Sequence, residues 1–215
     1  MVFPLPNDFL LMADDVSYVR DDMIIFEGVK LSLSEGEIVH ITGPNGCGKT
    51  TLIKILTTII TPTRGAVFYK GRPASDVRYQ YLSDLLYIGH KTGIKSSLNA
   101  EENLLWMAAA DGIADNRVVL DALSVMGFDS ELSHRPCGQL SAGQLQRVAL
   151  SRLVFTEKHI WFLDEPMAAL DSVSIKAVNQ CIANHLERKG AVLITSHQPI
   201  DFHPVRKFEL TNWCL

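Results

Sequence analysis

The sequence predicts an α/β fold in which a sheet domain is interrupted by a helical segment. Short apolar runs at residues 37–42, 159–163 and 191–195 are typical of parallel strands that are covered on both faces. A helix predicted at residues 172–188 joins the last two runs. Between the first two runs, residues 98–154 carry apolar residues at helical spacing, so we expect this stretch to form the helical segment.

Strand signals dominate the N-terminal part of the chain. Within residues 10–33, short β-prone pieces lie at residues 23–26 and 29–33. Residues 65–71 are predicted to form a strand between two turn glycines, and residues 85–89 are a further candidate strand.

Helix signals follow. Asn99 and Glu102 have the spacing of a capping box, which predicts that a helix begins there. Residues 117–126 and 143–155 continue the helical spacing of apolar residues. The helix that joins the last two apolar runs is expected to end at Gly190, in the manner of a C-cap.

A complete phosphate-binding loop motif, G-x-x-x-x-G-K-T, occupies residues 43–50. A predicted strand precedes it and a predicted helix follows it, which argues against a chance glycine-rich turn. Glycines let the backbone curl around an anion, and the helix N-terminus adds partial positive charge. Lys49 can then reach the β- and γ-phosphates, and the Thr50 hydroxyl can ligate Mg²⁺. The candidate nucleotide-binding residues here are Gly43, Pro44, Asn45, Gly46, Cys47, Gly48, Lys49, Thr50 and Thr51.

Asp164 and Glu165 follow an apolar run, at the carboxyl end of a predicted strand, where open α/β sheets bind ligands. Asp164 is suited to holding Mg²⁺ alongside Thr50. Glu165 would polarise the water that attacks the γ-phosphorus, and a positioned base of this kind contributes about 10²–10⁴ in rate. The alternative is a helix N-cap carboxylate before Pro166. The presence of the phosphate loop favours the catalytic interpretation.

The composition agrees with a soluble nucleotide-binding domain. The chain has 215 residues, of which 47% are hydrophobic and 20% charged, and its formal net charge is -4. Mild acidity argues against a protein that coats nucleic acid. No apolar run approaches the ~18 residues of a membrane span. The N-terminus lacks the layout of a signal peptide. Four cysteines without metal-like spacing predict free thiols in a reducing cytoplasm: Cys47, Cys137, Cys181 and Cys214.

Three further motifs point to a family. Residues 140–144 open a helix and are by themselves an ordinary N-cap, but they resemble the L-S-G-G-Q signature of ATP-binding cassette (ABC) ATPases. Residues 168–171, ending in Asp171, resemble the D-loop of that family, and residues 195–197 resemble its switch-histidine segment. With the phosphate loop and the Asp-Glu pair, five motifs occur in the family order over nearly the whole chain. The matched signature residues are Ser141, Ala142 (in place of a glycine), Gly143 and Gln144.

The resemblance implies a P-loop NTPase fold with a RecA-like mixed sheet core, an N-terminal antiparallel β subdomain and an inserted helical subdomain. The single domain, residues 1–215, would then have its catalytic core at about residues 1–90 and 156–215 and its helical subdomain at about residues 91–155. ATP and Mg²⁺ are the implied ligands.

The resemblance also implies a head-to-tail homodimer with two composite sites. The helix that Ser141 opens would contact the γ-phosphate of the nucleotide held by Lys49 of the other copy. His197 would hold the γ-phosphate or the attacking water beside Glu165.

Two positions depart from the usual pattern of the family. His90 aligns with a glutamine that senses Mg²⁺ and contacts the transport subunit, and an imidazole there would change the coupling to Mg²⁺. The aromatic residue that stacks on adenine aligns with Arg20, with Tyr18 as the nearest aromatic; a guanidinium can also stack on a base, and a plain surface role is the alternative for both. His40 has no supporting motif and is interpreted as structural.

Within the family, residues 87–98, 102–104 and 140–153 resemble the ATPase subunits of bacterial cytochrome c maturation (haem exporter) complexes. Those subunits have a Y-L-G-H segment, here with Ile88, and a Leu-Ser-Ala-Gly-Gln signature, here followed by Leu145. The resemblance implies a peripheral protein on the cytoplasmic face of the inner membrane, docked to integral membrane subunits. Its ATPase cycle would serve haem delivery to a periplasmic chaperone.

Three alternatives remain open at this point. An ABC protein that acts on ribosomes or DNA ends usually has two fused cassettes or long coiled coils, and this chain has one cassette and no heptad run. A scaffold that has lost hydrolysis is disfavoured by the intact set Lys49, Asp164, Glu165 and His197. A transporter ATPase for another substrate is the third.

Overall fold

A computed structural model describes residues 9–196, 200, 202 and 204–214, and the predicted switch residue His197 lies outside this part of the chain. The helices and strands in chain order are β1 (Leu11–Arg20), β2 (Met23–Leu33), β3 (Ile38–Thr42), α1 (Lys49–Leu56), β4 (Arg64–Tyr69), β5 (Arg72–Pro73), α2 (Arg78–Ser83), β6 (Leu85–Ile88), α3 (Ala100–Ala110), α4 (Arg117–Val125), α5 (Ser130–Ser133), α6 (Ala142–Leu150), α7 (Arg152–Phe155), β7 (Ile160–Asp164), α8 (Ser172–Glu187), β8 (Ala191–Thr195) and β9 (Arg206–Glu209). Short 3-10 helices lie at Cys137–Gln139 and Leu210–Trp213.

The chain forms two compact units, which we describe separately. The first unit contains Met1–Tyr87, Lys158–Asp164 and His185–Leu215, and the second contains Ile88–Glu157 and Glu165–Asn184. Chain segments of the first unit therefore flank those of the second along the sequence.

An antiparallel sheet in the first unit has the strand order β2-β1-β4-β5. The two β-prone pieces of the sequence are parts of one strand, β2, which contains Gly28 at a φ of +71°. The register between β1 and β2 shifts where Val16 pairs with Val29, so the strand continues through an irregularity rather than ending there.

A second sheet has the order β6-β7-β8-β3-β9, and β3 pairs in parallel with both β8 and β9, as β7 does with β8. The first sheet is the expected N-terminal antiparallel sheet, and the second is the expected core sheet. All residues of β7 and β8 are buried, as their apolar runs predict. In the register, Thr195 of β8 is the partner of both Ile41 and Asp164. This row brings the carboxyl ends of β3 and β7 to the same edge of the sheet.

The core of the first unit joins both of its sheets to α1. Fully buried residues from each element belong to one cluster of side chains, among them Phe26, Ile41, Leu52, Phe162 and Leu193. Burying a side chain of this size contributes about 1.5–3 kcal/mol, so this cluster fixes β3 and α1, the two elements on either side of residues 43–48.

A capping box defines where the first helix of the second unit, α3, begins. Asn99 accepts a hydrogen bond from the backbone N–H of Glu102, and the Glu102 carboxylate accepts one from the N–H of Asn99, so the predicted capping box is confirmed. The predicted helix at residues 143–155 is divided into α6 and α7 at Ser151. The Ser151 hydroxyl donates to the carbonyl of Arg147, a bond that often bends helices.

The end of α8 differs from the prediction. Lys189, not Gly190, has the left-handed conformation, with a φ of +63°. Glycine is required at position 190 for a different reason, because a Cβ there would lie 2.2 Å from the ring of His185. That ring stacks on Trp161, with 3.7 Å between the centroids and 8° between the planes.

His185 predicts a pH dependence of stability. Burial is the main cause that lowers the pKa of His185 to about 4, from 6.5. The unfolded chain therefore binds more protons between these values, and stability that is present above pH 6.5 is lost as the pH falls through about 4. Allowing for partial exposure of the ring, we expect a loss of about 1–2 kcal/mol.

Urea unfolding of the full chain at pH 7 and pH 4.5 measures this loss. The variant His185→Phe keeps an aromatic ring on Trp161 but cannot be protonated, so its free energy of unfolding should depend less on pH. An unchanged dependence in this variant would assign the effect to other groups.

Candidate nucleotide-binding and hydrolysis site

Two positions of the loop between β3 and α1 accommodate only glycine. Gly43, Gly46 and Gly48 have φ values of +147°, +84° and +98°. A Cβ on Gly43 would lie 2.7 Å from the sulfur of Cys47, and one on Gly48 would lie 2.7 Å from a methyl group of Ile25. The close approach explains why the first and last motif glycines are needed, in addition to their positive φ.

Lys49 is the first residue of α1, and its side chain points back into the loop. It is buried, and its ammonium donates hydrogen bonds to the carbonyls of Gly43 and Pro44 at 2.8 and 3.0 Å. A buried cation therefore lies inside the curl of the loop, at the N-terminus of a helix. Thr50 and Thr51, in the first turn of α1, are partly buried. This combination of a cation, a helix N-terminus and curled backbone is suited to an anion.

Asp164 ends β7, two strands from β3 in the sheet, which corresponds to about 10 Å at the usual strand spacing. Its Oδ1 accepts a hydrogen bond from the Thr195 hydroxyl at 2.8 Å. Its Oδ2 is buried and makes no hydrogen bond within the described residues. A buried carboxylate oxygen with unused lone pairs fits a hard cation or the water bound to one.

Thr195 is a residue of this site whose contact with Asp164 sequence analysis did not predict. Its role follows from the register of β7 and β8, and the only sequence signal is a hydroxyl residue at the end of a buried apolar run. In the described part of the chain, no group of three or more His, Cys, Asp and Glu residues could hold a metal ion by itself. Mg²⁺ is commonly bound by one or two protein ligands together with phosphate oxygens and water, so Thr50 and Asp164 fit that chemistry.

In the second unit, Glu165 and Ala169 both have left-handed backbone, with φ values of +54° and +61°. Such conformations cost about 1–3 kcal/mol in residues other than glycine and cluster at functional sites. The segment that contains them packs on α6: the Gln146 side chain donates to the carbonyl of Pro166, and a Cβ on Gly143 would lie 2.4 Å from the carbonyl oxygen of Ala169. Position 143 therefore requires glycine, because a side chain there would clash with the backbone of Ala169.

Ser141 opens α6 with a capping box. Its hydroxyl oxygen accepts from the N–H of Gln144, and the Gln144 side-chain oxygen accepts from the N–H of Ser141. Ser141 and the adjacent Ala142 are exposed. Because the hydroxyl oxygen acts as the acceptor in this bond, its proton is available for donation to an outside anion.

Asp171 lies before α8. One carboxylate oxygen accepts from the N–H of Ser174 at 2.8 Å, and this bond is the main cause that lowers the pKa of Asp171. The residue thus caps the first turn of α8 and stays ionised near neutral pH.

The surroundings of four further residues singled out in the sequence are as follows. His90 is exposed and follows β6. Tyr18 is partly buried, with its ring centroid 6.4 Å from that of Phe26, and Arg20 is exposed, 3.9 Å from the carboxylate of Asp21. His40 is buried and its Nε2 lies 3.0 Å from the carbonyl of Ser196.

The loop geometry, the strand order and the packing of the signature segment define a class of protein. Residues 26–168 match the ABC transporter family, and the chain belongs to that family. It is an ABC ATPase, as the five motifs predict.

Several relatives carry the same name. The chain is 41% identical over 205 residues to the cytochrome c biogenesis ATP-binding export protein CcmA of Escherichia coli K12. The aligned residues are 94% of this chain and 97% of the relative. The chain is 39% identical over 198 residues to the protein of the same name from Pseudomonas fluorescens, covering 91% and 93%.

Solved structures agree on the fold. An ABC transporter ATP-binding protein from Pyrococcus furiosus matches with a TM-score of 0.80 and 28% identity, over 95% of this chain and 99% of that one. The dimeric structure of a bacterial ABC transporter cassette matches with a TM-score of 0.78 and 24% identity, over 87% and 88%. No helix within the described residues is both long enough and apolar enough to cross a bilayer.

Proposed function

We propose that this protein is the ATP-binding and ATP-hydrolysing subunit of a membrane ABC exporter complex for cytochrome c biogenesis. The support for the pathway is the run of relatives with that name at about 40% identity over nearly the full length of both chains. The observation that supports the chemistry is the buried Lys49 ammonium inside a curled glycine loop, on the same sheet edge as Asp164.

ATP is held through its phosphates by residues 43–51. Lys49 exchanges its bonds with the carbonyls of Gly43 and Pro44 for bonds with phosphate oxygens, and the loop N–H groups surround the anion. Tyr18 and Arg20 are the candidates for contact with adenine. Both lie toward the end of β1, which pairs with β2, and Ile25 and Phe26 of β2 lie where a Cβ on Gly48 would meet them.

Mg²⁺ is held by the Thr50 hydroxyl and by Asp164, the latter directly or through water. When bound, the ion neutralises charge on the phosphate oxygens. The Thr195 hydroxyl holds Oδ1 of Asp164, which leaves Oδ2 as the oxygen that would hold the ion or its water. His90, at the place of the usual glutamine, is assigned to sensing this ion and to the coupling with the transport subunit.

Hydrolysis depends on Glu165 as the general base for the attacking water and on His197 as a contact of the γ-phosphate or that water. The left-handed backbone of Glu165 is a strained feature of the kind retained where a side chain must be aimed. Two carboxylates at consecutive positions have separate tasks, with Asp164 serving the metal ion and Glu165 the water.

Two copies of the chain close around ATP. The helix N-terminus that begins at Ser141 faces the γ-phosphate bound by the other copy, with the Ser141 hydroxyl, Gly143 and Gln144 as contacts. Asp171 lies in the segment between the two copies. Each composite site is complete only in the dimer, so ATP binding and dimerisation are linked.

The closing and opening of the dimer acts on integral membrane subunits made as separate chains. The protein is then peripheral at the cytoplasmic face of the bacterial inner membrane. The work done serves haem export or release of a haem-loaded periplasmic chaperone.

The pathway is tested by deleting the gene in its host and scoring covalent haem attachment to periplasmic c-type cytochromes. We expect attachment to be lost, and to return with the wild-type gene but not with Glu165→Gln. Membrane b-type cytochromes, whose haem is not covalently attached, serve as the control and should remain. Normal c-type cytochromes in the deletion strain would point to another substrate.

A further inference from the structure

Two cysteine side chains meet at the phosphate loop. Cys47 is a loop residue, and its sulfur lies 2.7 Å from the position that a Cβ on Gly43 would take. Cys214 comes from the C-terminal segment, and its thiol lies 3.3 Å from the Cys47 carbonyl oxygen and 3.4 Å from that of Leu210. Cys47 is also among the causes that raise the pKa of the Cys214 thiol, so the two groups share one electrostatic environment. Sequence spacing gave no hint of this pair, because 166 residues separate the two positions along the chain.

The C-terminal segment is anchored where it meets the loop. Leu210 is fully buried in the core cluster, and the ring of Trp213 stacks on that of Phe208 with 6.4 Å between the centroids. Cys214 follows directly on these anchors, so its position beside Cys47 is fixed by packing. Both cysteines are only partly buried.

We propose that Cys47 and Cys214 form a reversible intramolecular disulfide that switches off nucleotide binding by the loop. An S–S bond is about 2.05 Å long, shorter than the contact between two thiols, so closing it draws the loop toward the C-terminal segment by on the order of 1 Å. The backbone N–H groups around Gly43 then no longer match the phosphates. The loss of ATP binding rests on the proposed nucleotide-binding function, whereas the formation of the disulfide does not.

A peroxide is the chemical class of oxidant. The Cys47 thiolate attacks one peroxide oxygen, which gives a sulfenic acid on Cys47 and, with its proton returned, one water. The Cys214 sulfur then attacks the Cys47 sulfur, the S–S bond forms, and the sulfenic oxygen leaves as a second water. Two thiols and one hydrogen peroxide thus give one disulfide and two waters. A dithiol reverses the change by exchange.

The order of attack is assigned from the environment of the Cys214 thiol. Burial, together with the neighbouring Cys47, raises the pKa of the Cys214 thiol, so Cys214 is the slower thiol and resolves the sulfenic acid. The other two cysteines are less suited: Cys137 is fully buried, and burial raises the pKa of Cys181 to about 11.

Peroxide treatment of the full chain tests the proposal, followed by peptide mass mapping without reduction and titration with a fluorescent ATP analogue. In wild type we expect a cross-linked peptide pair containing Cys47 and Cys214, and at least a roughly tenfold loss of affinity that dithiothreitol restores. Cys214→Ser should bind ATP normally before treatment. After brief treatment with one equivalent of peroxide it stops at the sulfenic acid on Cys47, which draws no other segment toward the loop, so it should keep its affinity. Cys181→Ser is the matched control and should respond as wild type does.

Three results would overturn the switch. They are a Cys214→Ser variant that loses affinity as fast as wild type, a cross-link between two chains instead of within one, and a disulfide that leaves ATP affinity unchanged. Failure of the reduced wild-type protein to bind ATP at all is a different result and would contradict the proposed function instead.

Discussion

Replacing Glu165 with glutamine is expected to reduce ATP turnover by about 10²–10⁴ while ATP stays bound. The amide occupies the same volume as the carboxylate but cannot take a proton from water. Every proposed phosphate contact, including Lys49 and the Ser141-led helix, is unchanged in this variant. We therefore expect ATP and Mg²⁺ to hold two copies together, which size-exclusion chromatography with light scattering measures as a stable dimer.

The control for this variant is Glu157→Gln, which removes the same charge at an exposed position outside the proposed site. It should turn over ATP at the wild-type rate and remain dimeric only transiently. Turnover by Glu165→Gln equal to that of wild type, in the purified complex, would end the assignment of Glu165 as the base.

Replacing Lys49 with alanine is expected to weaken ATP binding and turnover together. A charge-assisted hydrogen bond contributes about 1.5–3 kcal/mol, which corresponds to a loss of affinity of about 10- to 100-fold. Isothermal titration with ATP and Mg²⁺ measures the affinity. Because Lys49 also bonds to the carbonyls of Gly43 and Pro44, the Tm of the variant is measured alongside.

Lys54→Ala is the matched control, since Lys54 lies in the last turn of the same helix. It should leave ATP affinity unchanged. Wild-type affinity in a folded Lys49→Ala variant would exclude the loop from phosphate binding.

The buried strands and the capped helices were predictable because their signals are local. Apolar runs predict β3, β7 and β8, and the Asn99–Glu102 spacing predicts the start of α3. The short elements β5, α2 and β9 were missed, since two to six residues are too few for periodicity to be recognised. The sequence predicts Gly190 as a C-cap, whereas the need for glycine there comes from the His185 ring, a tertiary contact without a local sequence signal.

The site was predictable in its residue types but not in its contacts. The motif spacing identifies Lys49 and Asp164, because phosphate and metal chemistry constrain which residues stand there. The bond from Thr195 to Asp164 depends on strand register, and the approach of Gly143 to Ala169 depends on tertiary packing. Neither contact produces a periodic pattern in the sequence. The left-handed backbone of Glu165 is likewise a property of the fold.

A structure of Glu165→Gln crystallised with ATP and Mg²⁺ addresses the central proposal most directly. We expect each triphosphate to lie between the glycine loop of one copy and the Ser141 end of α6 in the other, related by a two-fold axis. Nucleotide contacted by one copy alone, with the Ser141 ends directed elsewhere, would contradict the proposed mechanism.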